Sequence, residues 1–284
     1  MITFSELPGG ITVLHITNPA ASAEISLYGG HVLSYMPARQ TKLLFLSSSS
    51  FFEKGKAIRG GIPVCWPWFG PHPENTVLPQ HGFVRTMDWR LATIQEESLC
   101  TTVVLECLST PETLLLWPHE FKLTLSVSVG KTLEMTLATE NTGHKEFRIT
   151  DALHTYFSVG AIDAVRVTGL ENARYIDKAG SPRLCTQQGE ISVTAETDKI
   201  YLSPSSCSFI DPARGKKITV EKTGFPDTIV WNPWKDKAKA MQDFGDEEWQ
   251  SMLCVEAGSV KDNAISVQSG QSICQTMIIQ TENT

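Results

Sequence analysis

Three short segments carry the residues of this sequence whose types and surroundings could do chemistry. "IRGGIPVCWPWFGPHPENTVLPQHGFVRTMDW", residues 58 to 89, holds Arg59, Gln80, His81 and Arg85 among tryptophans, prolines and glycines; "DALHTYFSVG" carries His154, and "MLCVEAGSV" carries Glu256 at the end of an apolar run. An imidazole or a carboxylate entering such a run is costly to bury unless it is paired or hydrogen-bonded, so each is a candidate site residue. Taken singly, His154 reads equally well as a satisfied core histidine, and Glu256 as the partner of an arginine. Together they make an acid and a base whose surroundings can tune them for proton transfer in both directions near neutral pH. Arg59 and Arg85 lie near Gly60, Gly61 and Gly82, which let backbone approach a ligand closely, and two guanidinium forks suit a phosphate dianion. Surface ion pairs are the alternative reading of both. Trp66, Trp68, Trp231 and Trp234 could offer flat apolar faces to a ring, and core packing explains them as readily.

Other motifs carry less. "GKT" at residues 130 to 132 resembles the end of a phosphate-binding loop, but Leu125 stands where the upstream glycine belongs and both flanks alternate as strands, so a hairpin turn is expected. "HEF" from His119 lacks the second histidine of a zinc-binding helix, Leu123 taking its place. The seven cysteines form no C-x-x-C pair and no Cys/His zinc spacing. Cys65 and Cys254 border the favoured segments as small apolar residues, and no metal site is expected.

Positioning these groups falls to strands. Period-two alternation runs through "GITVLHIT", "AEISLYG", "HVLSYMP", "TTVVLECLS", "FKLTLSVSVG", "TLEMTLATEN", "KKITVEKT" and "NAISVQSGQSICQTMIIQT", with turn formers such as "ENTGH" and "DPARGK" between them. Helical signals are confined to "KDKAKAM" and "DEEWQSML", each too short to cross between parallel strands. The class is therefore mainly β, a sandwich or barrel, and without a linker or internal repeat the 284 residues read as one domain, 1–284. The aromatic residues of 58 to 89 argue for a functional loop, since a linker gains nothing by exposing them. A net charge of -7 opposes general nucleic-acid binding. No signal peptide or apolar span of membrane length is seen, and scattered thiols fit a reducing compartment, so a cytoplasmic protein with no membrane partner is expected.

"IRGGIPVCWPWFG", "LPQHGFVR", "ALHTYFSVG", "TDKIY", "IVWNPW" and "MLCVEAG" resemble, in order and over about residues 10 to 280, the glucose-6-phosphate 1-epimerase family, the hexose-6-phosphate mutarotases related to aldose 1-epimerases. The resemblance implies a galactose mutarotase-like β-supersandwich. It also implies interconversion of the α and β anomers of hexose 6-phosphates without a cofactor, with a small sugar phosphate as partner; a monomer is expected. By matching position, Glu256 is the base at the anomeric hydroxyl and His154 the acid at the ring oxygen. Arg59, Gln80, Arg85 and Asp198 match substrate-binding positions, with His81 a further pocket residue; without the resemblance, Asp198 reads as a turn aspartate. An aldose 1-epimerase acting on unphosphorylated sugars and a carbohydrate-binding module without turnover are the alternatives.

Overall fold

The computed structural model describes residues 1–284. Two antiparallel sheets of eight strands dominate it, beside a four-stranded sheet (Ile2–Leu7, Ile11–Thr17, Ala21–Ser26, His31–Pro37) and a two-stranded ribbon (Phe147–Ile149, Ile265–Val267). One large sheet runs Arg166–Thr168, Cys207–Asp211, Lys216–Thr223, Ser272–Asn283, Leu133–Asn141, Phe121–Val129, Thr101–Leu108 and Arg90–Glu96. The other runs Arg183–Thr186, Arg174–Asp177, Thr197–Tyr201, Asp227–Asn232, Met252–Ser259, Asp151–Leu153 and Val64–Cys65, with Tyr156–Ser158 also paired to Met252–Ser259. The expected mainly-β supersandwich is what forms.

Alternation explains how the sheets meet. In Phe121–Val129 and Leu133–Asn141 every second residue is buried, because successive side chains leave a strand on opposite faces. Met252–Ser259 is buried at all positions, since both its faces are covered. Leu253, Val255 and Ala257 join a core of 51 residues that also takes Val103, Leu123, Phe209 and Met277 from the facing sheet, whereas Cys254 joins a separate apolar cluster with Tyr156, Ile229 and Trp231. Glu256, two residues on from Cys254, shares its face.

Local departures from the sequence expectations have local causes. "DEEWQSML" makes only a 3-10 turn at Glu248–Ser251, because Met252 and Leu253 are taken into the central strand. "KDKAKAM" overlaps a helix at Trp234–Ala240. An unexpected helix at Pro111–Leu116 is capped reciprocally by Thr110 and Thr113, which the alternating neighbours on either side concealed. The last alternating run breaks into Ile265–Val267 and Ser272–Asn283 at the turn containing Gly270. No helix is long and apolar enough to cross a membrane.

Asp151 opens the strand that leads to His154 and is fully buried, with one oxygen at 3.4 Å from Gln275 Nε2 and the other without a partner. Burial pushes its carboxyl up to about 7, against the pull of hydrogen bonds from Ser259 and Gln275. A raised folded-state value means that this stabilisation is complete below the ordinary carboxylate range and is lost as pH rises through about 7. Asp151→Asn is therefore expected to gain stability relative to the parent between about pH 5 and pH 9, read as a shift in urea midpoint. A difference independent of pH would show that the folded protein does not hold that proton.

Candidate active site

The sheet register sets the site. Glu256 stands opposite Ile229 on the neighbouring strand, Cys254 stands opposite Trp231, and Trp231 in turn stands opposite Asp198. On the other side Tyr156 pairs with Cys254, and Leu153 with Ala257. His154 occupies the break between Asp151–Leu153 and Tyr156–Ser158, where Thr155 folds back on Leu153 through its N–H at 2.9 Å and its hydroxyl at 3.2 Å. The run that reads as one strand is thus two, and the kink swings the imidazole over Glu256. His154 Nδ1 and Glu256 Oε1 lie 3.4 Å apart, with the side chains 10% and 1% exposed. Neither Nδ1 nor either carboxylate oxygen has a hydrogen-bond partner, although buried polar atoms are nearly always paired.

The 58 to 89 segment forms the opposite wall. Gly82, at φ 72°, abuts the Trp66 carbonyl so closely that a Cβ there would meet its oxygen at 1.8 Å, which leaves glycine alone able to follow His81. His81 itself takes a left-handed backbone at φ 62°, donates its N–H to Gly70 at 2.7 Å and sets its ring 5.6 Å from that of His154. Arg59 Nε donates to Asp243 at 3.1 Å and one terminal nitrogen donates to the Tyr156 hydroxyl at 2.9 Å, while the other lies 3.0 Å from Asp243. Tyr156 stacks on His154 at 4.7 Å and 9°. Arg59 therefore bears on His154 through one intervening ring.

A cavity of about 270 Å³ collects Arg59, Gln80, His81, His154, Asp198 and Glu256 on one wall system. Arg85 is not among the lining residues and donates to the Gln80 carbonyl at 2.7 Å. Sequence reading also missed Lys178, Lys237, Phe69, Ile229 and Met241, which join Gly70 and Pro71 in the lining. Lys178 follows the Arg174–Asp177 strand, with its N–H on the Asp198 carbonyl at 2.7 Å and its Nζ 3.3 Å from the Asp198 carboxylate. Of the four tryptophans singled out, Trp231 alone lines the cavity: Trp66 and Trp68 are buried in the main core, and Trp234 packs on Trp249 at 4.3 Å. A surface concavity of about 390 Å³ around His119 and His144 holds no buried acid-base pair.

Electrostatics splits the cavity in two. Burial, then the charges of Arg59 and Arg85, hold His154 well below the usual imidazole range. Burial, then Asp198, drives Glu256 well above the usual carboxylate range, with Lys178 pulling the other way. The arginines thus act on the His154 side, and Lys178 with Asp198 on the Glu256 side. In the resting cavity burial favours the neutral form of each member of the pair.

Residues 12–280 match the family described as Aldose 1-epimerase. A protein of Cenchrus ciliaris that carries the name "Putative glucose-6-phosphate 1-epimerase" is 42% identical over 260 residues, 88% of this chain and 78% of that one. A crystal structure described as "a putative mutarotase" from Salmonella typhimurium superposes with a TM-score of 0.94 at 31% identity, covering 100% of this chain and 94% of the other. At 14% identity a galactose mutarotase related enzyme of Lactobacillus acidophilus shares the fold alone, with a TM-score of 0.76 over 96% and 98% of the two chains. The chain that builds this cavity belongs to the aldose 1-epimerase family.

Proposed function

We propose that this epimerase interconverts the α and β anomers of D-glucose 6-phosphate and related hexose 6-phosphates, with Glu256 and His154 as the proton-transferring pair and no cofactor. The observation that carries the reading is the buried contact of 3.4 Å between two groups left without other partners. The anomeric O1 and the ring oxygen are both bonded to C1, so the base and the acid of ring opening must be neighbours. Glu256 as carboxylate takes the O1 proton; the freed electron pair makes the aldehyde C=O as the bond from C1 to the ring oxygen breaks. That oxygen takes a proton from the imidazolium of His154. Rotation about C1–C2 turns the other aldehyde face to the ring hydroxyl, and the two residues run in reverse to close the ring.

The two electrostatic sides of the cavity support one orientation of the substrate. C5, which carries C6 and its phosphate, is the other neighbour of the ring oxygen, so the phosphate falls on the His154 side within reach of Arg59. That guanidinium keeps N–H groups free on its terminal nitrogens after meeting Asp243 and Tyr156. Asp198, on the Glu256 side, accepts from ring hydroxyls, and Trp231 offers its face. Arg85 acts by holding Gln80 and His81 in place.

An epimerase of unphosphorylated sugars remains the second reading, and the pairing of Arg59 with Asp243 is what favours it. Adding the protein to freshly dissolved anomer, followed by polarimetry or exchange NMR, tests both. Charge-assisted hydrogen bonds are worth about 1.5–3 kcal/mol, so Arg59→Ala is expected to lower kcat/KM for glucose 6-phosphate about 10- to 100-fold. Its effect on glucose should be far smaller; equal losses on both sugars would refute phosphate recognition.

A further inference from the structure

We propose that His154, Cys254 and Glu256 form a binding site for a single thiophilic divalent cation of the Zn²⁺ or Cd²⁺ class, and that its occupation blocks the cavity floor. One ligand atom from each residue, imidazole nitrogen, thiol sulfur and carboxylate oxygen, lies within 4.8 Å of the others, and all three side chains are buried. Topology makes the cluster. Cys254 and Glu256 are two apart on one strand and so share a face, while His154 reaches the same point from the neighbouring kink, about a hundred residues away in sequence. No spacing motif reveals such a set.

The donors are unfilled. His154 Nδ1 and both Glu256 oxygens are enclosed without hydrogen-bond partners, and the nitrogen lies 3.4 Å from Glu256 Oε1. Zinc bonds of about 2.0–2.3 Å place two tetrahedral ligands about 3.5 Å apart, so donors within 4.8 Å need draw in by about an ångström. The sulfur and nitrogen donors select zinc-like ions over Mg²⁺ or Ca²⁺, which prefer all-oxygen cages. Binding releases the Cys254 thiol proton, and any proton on Glu256, to solvent, and the two anionic ligands then balance the ion's charge. His154 and Glu256 line the cavity and Cys254 is fully buried, so an ion held by all three would border the substrate space.

Cation binding can be read apart from catalysis. Titrated with Co²⁺, the protein is expected to develop the thiolate-to-metal charge-transfer absorption of a sulfur ligand, and with Zn²⁺ to bind one equivalent by calorimetry. Mg²⁺ should give neither signal. Cys254→Ala should lose the absorption and weaken Zn²⁺ binding at least about tenfold; Cys254→Ser serves as the second variant should the first be poorly folded. If the proposed epimerase reading also holds, Zn²⁺ inhibits competitively with the sugar, and Cys254→Ala retains its basal rate while losing most of that inhibition. Unaltered Zn²⁺ affinity in the folded Cys254 variants, or Co²⁺ binding without a thiolate band, overturns the site. A thiolate-ligated ion on a protein inactive towards every anomer would instead overturn the epimerase reading and leave the site standing.

Discussion

Glu256→Gln is expected to lower kcat/KM for anomer interconversion by about 10²- to 10⁴-fold, the range that a positioned acid-base group contributes. The amide keeps the shape of the carboxyl but cannot take the O1 proton. Because proton removal is made only in the transition state, kcat should fall and KM should change little. The same substitution should leave thermal stability unchanged or raised. The parent buries both Glu256 oxygens without a hydrogen bond, and the amide can donate to His154 Nδ1 across the 3.4 Å that separates the pair. The sign with pH follows from the raised carboxyl: its contribution to stability is complete at low pH and is lost as pH rises through the raised value, so the variant's gain should grow on the alkaline side. Saturation-transfer NMR on the anomers and a thermal melt at two pH values read both effects. A variant with parental activity would remove Glu256 from the mechanism.

Loss of activity with a gain of stability is the signature of a group held in a costly place for its function. That cost is also what makes the site legible in the sequence. In "MLCVEAG" a carboxylate enters a run that otherwise has no reason to admit one, and the structure buries it to 1% exposure. Alternation likewise predicts the strands of the large sheets, because each strand reports its own two faces. It does not report which strand lies alongside. Trp231 lines the cavity and Trp66 the core because the register places Trp231 between Asp198 and Cys254; composition alone treats the two tryptophans alike. Lys178 and Lys237 enter the wall by folding of distant segments, and nothing in their own neighbourhoods marks them. Arg85 reads like Arg59 in the sequence, yet its guanidinium donates to the Gln80 carbonyl and does not line the cavity. The kink at Thr155 was hidden for the same reason: a strand-like composition tolerates a break whose hydrogen bonds are satisfied two residues back.

His154→Ala is expected to cost about 10²- to 10⁴-fold in kcat/KM as well, and its pH profile separates the imidazole's part from that of the carboxyl. In the parent the competent form carries one proton on the pair. A second proton arrives only below the usual imidazole value of 6.5, because burial and the charges of Arg59 and Arg85 oppose it. The carboxyl proton of Glu256 leaves only above the usual carboxylate value of 4.5, because burial and Asp198 retain it. Activity therefore falls on both sides of a plateau. Without His154 the remaining rate needs Glu256 only as a base. It should rise with pH through the raised carboxyl value and then stay flat, the alkaline limb having gone with the acid. The ratio of parent to variant cancels the titration of the substrate's own phosphate. Free imidazole in the assay should restore part of the rate, since Tyr156 and Phe69 still flank the space the ring left, at 4.7 and 6.4 Å from its centre. Retention of the alkaline limb in His154→Ala would assign the acid to another group, with His81, 5.6 Å from His154, the next to be replaced.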